Sequence, residues 1–196
     1  VLSAAMEKQK RHINAKVWAY RGVNVPLNLF DMTVSRHRDG PDWFFVDSIY
    51  KGTLLGDCFG ANTGIAMRSN GSIVHAACVA HARRKFVAAL KNHKQHCLFF
   101  LNRFQELYEI EDRCATMSPE ERLTTRRLEA SLVWQRMDAY IDRDTRDLVP
   151  KDETQRAIDY LRNHWDALRL YLDDASIPID NNECEQLMRQ VASGRK

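Results

Sequence analysis

None of the eight glycines of this 196-residue chain lies between Gln95 and Asp174, and over that span apolar residues recur at helical spacing. Glycine is costly inside a helix and frequent in turns, so a long glycine-free stretch with a three-to-four residue apolar period predicts a block of packed helices. Leu98, Leu101, Phe104, Leu107 and Tyr108 mark one apolar face. Ser118-Pro119-Glu120-Glu121 has Ser at a cap, Pro at the first helical position and Glu at the third, which predicts a helix start. Leu123, Leu128, Leu132, Met137 and Ile141 are the expected apolar face of that helix. Asp152 or Thr154 is placed to cap another, with Ala157, Ile158, Leu161, Trp165, Leu168 and Leu172 facing inward. Trp134, Tyr140, Trp165 and Tyr171 fall on these faces and are expected in the core rather than as platforms for stacked bases.

The front of the chain reads differently. Lys16 to Tyr20 and Leu27 to Thr33 carry β-branched and aromatic residues around Val23-Asn24-Val25-Pro26, the pattern of an antiparallel hairpin. The polar run Glu7 to Asn14 is expected to be a loop, and Pro41-Asp42 opens a short helix through Trp43, Phe44, Val46 and Ile49. Gly52-Thr53-Leu54-Leu55-Gly56-Asp57 reads as a strand ending in a carboxylate, Cys58 to Ser69 as a short helix, and Ile73 to Val79 as a buried strand. Ala80 to Leu90 is strongly helical. Strand, helix, strand, helix predicts a mixed α/β sheet with helices on its faces. The helical block is then either an insertion into this α/β domain or a separate second domain.

The end of the chain, Ile177-Pro178-Ile179-Asp180-Asn181-Asn182-Glu183-Cys184-Glu185, returns to a short apolar entry, a polar turn and an acidic helix start. Asp180 and Glu183 have the spacing of a capping box, and Glu185 stands four residues before Arg189, at ion-pair spacing. A carboxylate at a strand end and a second on a rigid helix turn suit the ligation of paired divalent cations in phosphodiester chemistry. Asp57 and Glu185 fit those positions, although an Asp after a strand is also an ordinary turn residue. Cys78 and His81 have a C-x-x-H spacing without a second ligand pair at a suitable distance, which favours packing over zinc.

The net charge of +3 permits nucleic-acid binding without demanding it. Five scattered cysteines without a C-x-x-C pair read as reduced thiols in a cytoplasmic protein, and no stretch is long and apolar enough to span a bilayer. Val1-Leu2 reads as the tail of a strand already under way, and Gly194-Arg195-Lys196 stops without a clear terminus, so a fragment of a longer chain is expected.

Several segments, in order, resemble the catalytic domain of bacterial transposases of the insertion sequence sixty-six family. Lys16 to Gly22 is similar to a "G-Y-L-W-A-Y-R-G" strand of that family, and Phe30 to Arg36 to "F-D-Y-T-P-S-R". Leu54-Leu55-Gly56-Asp57 resembles "L-Q-A-D-G-Y", and Ala80 to Phe86 matches "W-A-H-A-R-R-K-F". Ile179 to Arg189 resembles "I-D-N-N-x-x-E-R-x-x-R", and Gly194-Arg195-Lys196 the "G-R-K" that follows. The resemblance implies a ribonuclease-H-like α/β core, residues 1–94 and 176–196, interrupted by a helical insertion, residues 95–175, that precedes the last catalytic helix. It implies DDE transposase activity, DNA cleavage and strand transfer at insertion-sequence ends, with Asp57 and Glu185 as catalytic metal ligands. Two Mg²⁺ (or Mn²⁺) ions, DNA as partner and a homo-oligomer in the DNA complex are implied with it. Arg83, Arg84 and Arg189 are the implied contacts to DNA phosphate. The sequence departs from the family in having Cys58 after the Asp, Phe59 for a Tyr and Gln186 for an Arg, and the family's first catalytic Asp precedes the position of Val1. The competing expectation is therefore an inactive remnant that binds DNA or inhibits an intact transposase.

Overall fold

The computed structural model describes residues 16–34, 39–46, 49–146 and 148–193. The loop expected at Glu7 to Asn14, the strand tail at Val1-Leu2 and the Gly194-Arg195-Lys196 motif lie outside these residues. The fold is α/β. Strands β1 (Lys16–Arg21) and β2 (Asn28–Thr33) form the expected antiparallel hairpin, in register from Lys16 opposite Thr33 to Arg21 opposite Asn28. Gly22 N donates to Leu27 O (2.8 Å) at the turn. A Cβ at Gly22 would stand 2.7 Å from Val25 O, so the turn needs glycine there.

Helix α1 (Asp39–Phe45) follows, ending before the exposed Ile49. Strand β3 (Gly52–Gly56), helix α2 (Gly60–Arg68) and strand β4 (Ile73–Ala77) make a βαβ unit with β3 and β4 parallel. The tight return into β4 uses Asn70 (φ 50°) and Gly71 (φ 82°), residue types that tolerate the left-handed region. The described strands thus form two two-stranded sheets, not one continuous sheet. A small core joins them: Phe45, Ile65 and Ile73 are buried, with Tyr20, Phe44, Val46 and Leu54 packed on them. Tyr20 of β1 stacks on Phe44 with ring centroids 4.6 Å apart.

The larger core runs without a break from Ala76 and Val79 through the helical block to Ile177 and Ile179. Helix α3 (Val79–Ala88) leads through a 3₁₀ turn (Ala89–Lys91) to α4 (Lys94–Cys114). The buried face of α4 is Cys97, Phe100, Phe104, Leu107, Ile110 and Cys114, rotated from the face expected through Leu98 and Leu101. Helix α5 (Pro119–Thr125) opens on the predicted capping box, with Ser118 Oγ accepting from Glu121 N and Glu121 Oε2 from Ser118 N. It runs on through a π turn (Arg126–Ala130) into α6 (Ser131–Asp144). That wider turn shifts the inward face to Arg126, Ala130, Val133, Trp134, Met137 and Ile141, so Leu128 and Leu132 are exposed, contrary to the sequence expectation.

Helix α7 (Glu153–Asn163) is capped by Asp152. The single helix expected here breaks at His164 into α8 (Trp165–Arg169) and a 3₁₀ turn (Leu170–Leu172), with Ala157, Ile158, Leu161, Leu168 and Leu172 still buried. Trp134 and Tyr171 are buried and bonded to each other (Nε1 to Oη, 3.1 Å), and Tyr140 and Trp165 are half-buried, as core residues should be. The last described element is α9 (Asn182–Ser193). Among the described residues all five cysteines are free thiols and no helix is long and apolar enough to cross a membrane.

Candidate active site

Parallel pairing aims the carboxyl ends of β3 and β4 at the same edge, the place where open α/β sheets present functional groups. Asp57 is the first residue past β3. Cys78, the first past β4, extends the ladder by donating its N–H to Gly56 O (2.9 Å), and α3 starts at the next residue. Asp57 Oδ1 accepts from Asn62 Nδ2 (2.6 Å) and from Phe59 N (3.2 Å), which fixes the carboxylate against the start of α2. A Cβ at Gly56 would lie 3.3 Å from Asn62 Nδ2, so glycine gives the amide room to reach Asp57. Asp57 Oδ2 accepts no hydrogen bond from the described residues. His75 Nε2 sits 3.2 Å from Asp57 O, and burial pushes the His75 pKa down, which keeps the ring neutral.

Helix α9 is brought alongside by a clasp at the head of α3, where Val79 N donates to Ile179 O (3.1 Å) between the buried side chains of Ile177 and Ile179. Asp180 makes the turn that follows. Its Oδ1 accepts from Asn182 N (3.0 Å), and its Oδ2 accepts from Tyr108 Oη (2.8 Å) and Asn182 Nδ2 (2.7 Å). Asp180 is thus a structural residue, as its capping position suggests. Glu183 does not complete a box with it but pairs with Arg21 of β1 (2.8 Å).

One turn into α9, Glu185 meets α3 with both oxygens engaged. Oε1 lies 3.2 Å from His81 Nε2 and Oε2 lies 3.0 Å from Arg84 Nη2, while Arg84 Nη1 is 3.4 Å from the same His81 nitrogen. Among the described residues these are its ion pairs; the i,i+4 partner expected from the sequence, Arg189, is exposed elsewhere on the helix. His81 and Arg84 are one turn apart on α3, so they face the same neighbour. Arg83 and Lys85 point away, as successive helical residues must. Arg83 is exposed with its charge reaching Tyr108, and Lys85 Nζ lies over the Tyr160 ring, 5.3 Å from its centre.

His81 contacts Glu185 and lies within electrostatic reach of Asp57. Burial and then the Arg84 charge push its pKa down, and the charges of Glu185 and Asp57 both oppose that shift. Its Nδ1 is buried without a hydrogen-bond partner. The imidazole is therefore neutral near pH 7.

Both acids are hard oxygen donors of the kind Mg²⁺ takes, and Mg²⁺ keeps several waters, so the donors fit in kind. They are short in number: among the described residues no group of three His, Cys, Asp or Glu is placed to hold a metal ion. The same finding leaves Cys78 and His81 without the partners a zinc site needs, and Cys78 is packed fully in the core.

A flank of the site comes from the helical block and carries no motif in the sequence. Tyr160 of α7 shares a hydrogen bond with the Cys58 thiol beside Asp57, and His164 meets its ring edge-on at 4.7 Å between centroids. Burial raises the pKa of Cys58 and Tyr160 and lowers that of His164, so all three are neutral near pH 7. The only sequence signal for this flank is the placement of Tyr160 and His164 four residues apart on one helix face.

The fold and site define an α/β protein with one carboxylate just past a strand end, a second on a helix paired with a histidine and an arginine, and a helical block packed against them. The chain belongs to the Transposase IS66 family, whose family model matches residues 2–196. It is 28% identical over 203 residues to y4hP of Sinorhizobium fredii (strain NBRC 101917 / NGR234), an uncharacterized protein, covering 92% of this chain and 36% of that protein. It is 33% identical over 152 residues to y4jD of the same strain, also uncharacterized, covering 75% of this chain and 30% of that protein. The chain spans about a third of the length of these curated relatives. No solved structure matches it.

Proposed function

We propose that this chain is catalytic-domain sequence of a DNA transposase with a ribonuclease-H-like core, acting in metal-dependent strand cleavage and strand transfer at insertion-sequence ends. Membership of the transposase family supports the reading. The single observation that carries it is that Glu185 of α9 is brought back onto α3 at His81, a residue whose proton affinity the Asp57 charge also affects. On this reading the helical block 95–175 is an insertion into the core, and the clasp from Val79 N to Ile179 O marks where the chain returns.

Asp57 and Glu185 are the two carboxylates that would hold Mg²⁺ (or Mn²⁺), with a third acid from outside the described residues. Bound there, the cations supply activation of the attacking oxygen and stabilisation of the leaving oxygen. The chain's own residues fix the geometry. Asn62 and the Phe59 N–H hold Asp57, and His81 holds Glu185. Arg83, Arg84 and Arg189 are the proposed contacts to backbone phosphate, which position DNA without reading its sequence.

A labelled element end, incubated with the protein and Mg²⁺, is expected to be nicked. Asp57→Asn and Glu185→Gln are each expected to reduce the rate by at least about a hundredfold, as loss of charge stabilisation at a reacting phosphate does. Nicking that survives both substitutions refutes the site.

A second reading has an observation in its favour. Glu185 is paired with the Arg84 charge and the described residues lack a third ligand, which suits a chain that binds DNA or an intact transposase without cutting. DNA binding that weakens steeply with salt, without cleavage, would establish that reading over the first.

A further inference from the structure

We infer that Arg84 is a latch on Glu185 that DNA phosphate opens, so that DNA and divalent cation bind cooperatively. The inference rests on the reading of Glu185 as a metal ligand. The latch is the pair from Arg84 Nη2 to Glu185 Oε2, 3.0 Å long, between side chains that are 50% and 40% exposed. An ion pair so open to water is worth little and is easily traded for another partner. Its two halves differ in what else they can do. Arg84 is a planar fork that binds a phosphate through two parallel hydrogen bonds at least as well as it binds a carboxylate. Glu185, once released, is a free carboxylate oxygen donor of the kind a divalent cation takes.

His81 does not leave with Arg84. Its Nδ1 is buried and its ring is largely covered, so it stays against Glu185 Oε1 as a neutral support. Arg84 therefore decides whether the carboxylate faces a fixed positive charge. Closed, the guanidinium occupies Oε2 and repels an incoming dication. Open, Glu185 keeps its orientation and gains a free oxygen. A phosphate arriving at the exposed Arg83 and Arg84 on α3 draws the latch away at the place where chemistry on that phosphate would occur. Metal loading is thereby tied to the presence of DNA, and by linkage the metal must tighten DNA to the same degree.

The test is Mn²⁺ affinity, measured by calorimetry on the full chain with and without a short duplex. Glu185→Gln in the presence of the same duplex serves as the baseline for Mn²⁺ held by DNA alone. For the unaltered chain, duplex is expected to tighten Mn²⁺ binding by about threefold or more, the scale of an exposed ion pair. Arg84→Gln is expected to show that gain without DNA and to gain nothing further from it. Lys91→Gln removes a charge from the turn after α3, away from Glu185, and is expected to leave Mn²⁺ affinity unchanged. Thermal unfolding of each variant without metal checks that the fold is kept. If Glu185→Gln weakens Mn²⁺ binding while Arg84→Gln leaves it unchanged or weaker, the latch is wrong and the metal-ligand role stands. If Glu185→Gln leaves Mn²⁺ binding unchanged, the metal-ligand role falls and takes the latch with it.

Discussion

Arg126 is the residue on which the helical block most depends. Its side chain is 2% exposed, and its guanidinium is satisfied from three directions. Nε and Nη2 bind the two oxygens of Glu111 (2.9 and 2.6 Å), and Nη1 binds Tyr171 O (2.9 Å) and Asp174 O (3.1 Å). One side chain thus joins the π turn to α4 and to the turn after α8. A buried charge that loses its partner costs about 3–5 kcal/mol, whereas an exposed pair costs almost nothing. Glu111→Ala should therefore destabilise the protein by about 3 kcal/mol in urea unfolding. Glu129→Ala, which breaks an exposed pair with Arg113, should cost less than about 1 kcal/mol. Arg126→Lys should rescue little, because an ammonium cannot form the two parallel bonds to Glu111. Equal costs for Glu111→Ala and Glu129→Ala would contradict this account.

At the level of elements, local chemistry decided what the sequence could disclose. Ser118 and Asp152 both cap helices as their spacing requires, because a cap is made by residues two or three positions apart. Asp152 Oδ1 accepts from Thr154 N (2.7 Å) and Gln155 N (3.4 Å), and its Oδ2 accepts from Asn92 Nδ2 (2.9 Å). The Asn92 amide, followed by those backbone N–H groups, holds the carboxyl below its usual range. A lowered folded pKa gives stability that is present above the unfolded pKa and lost as pH falls through the folded one. Asp152→Ala should cost about 1 kcal/mol at pH 7, and the difference from the unaltered chain should shrink toward about pH 3. Asp152→Asn should keep most of the cap and lose this pH dependence. A cost for Asp152→Ala that is the same at both pH values would refute the assignment. The π turn, by contrast, was not legible. Its extra residue follows from Arg126 reaching Glu111, fifteen residues back in sequence, and no local pattern around Leu128 announces it. For the same reason the local spacing offers Glu185 only Arg189 as an ion-pair partner, while its actual partners His81 and Arg84 lie about a hundred residues away. The hairpin and the βαβ unit were readable; the helices' inward faces and the acids' neighbours were set by tertiary contact.

Over the described residues, one large core ties β4 and α3 to α4, α6, α7 and α8, and the smaller core ties in the hairpin. Neutral groups are buried where these layers meet. His164 closes α7 against Tyr160, and burial holds its pKa below the ordinary value of 6.5. The unfolded chain therefore takes up that proton first as pH falls, so this stability is complete above about pH 6.5 and is lost toward the lower folded pKa. The thermal midpoint should drop between about pH 7.5 and pH 5.5, and His164→Gln should shrink the drop. A midpoint that is flat or rising over that range would show that His164 is not held neutral.

The clasp between Val79 and Ile179 has a consequence for a chain emerging from the ribosome. Asp57 is made before the helical block and Glu185 after it, and only the finished block carries the second acid back to α3. A nascent or prematurely terminated product would hold half of the acidic pair, exposed and without its counterpart. Whatever the two acids do together is thereby reserved for polypeptides that have been translated past the helical block and α9.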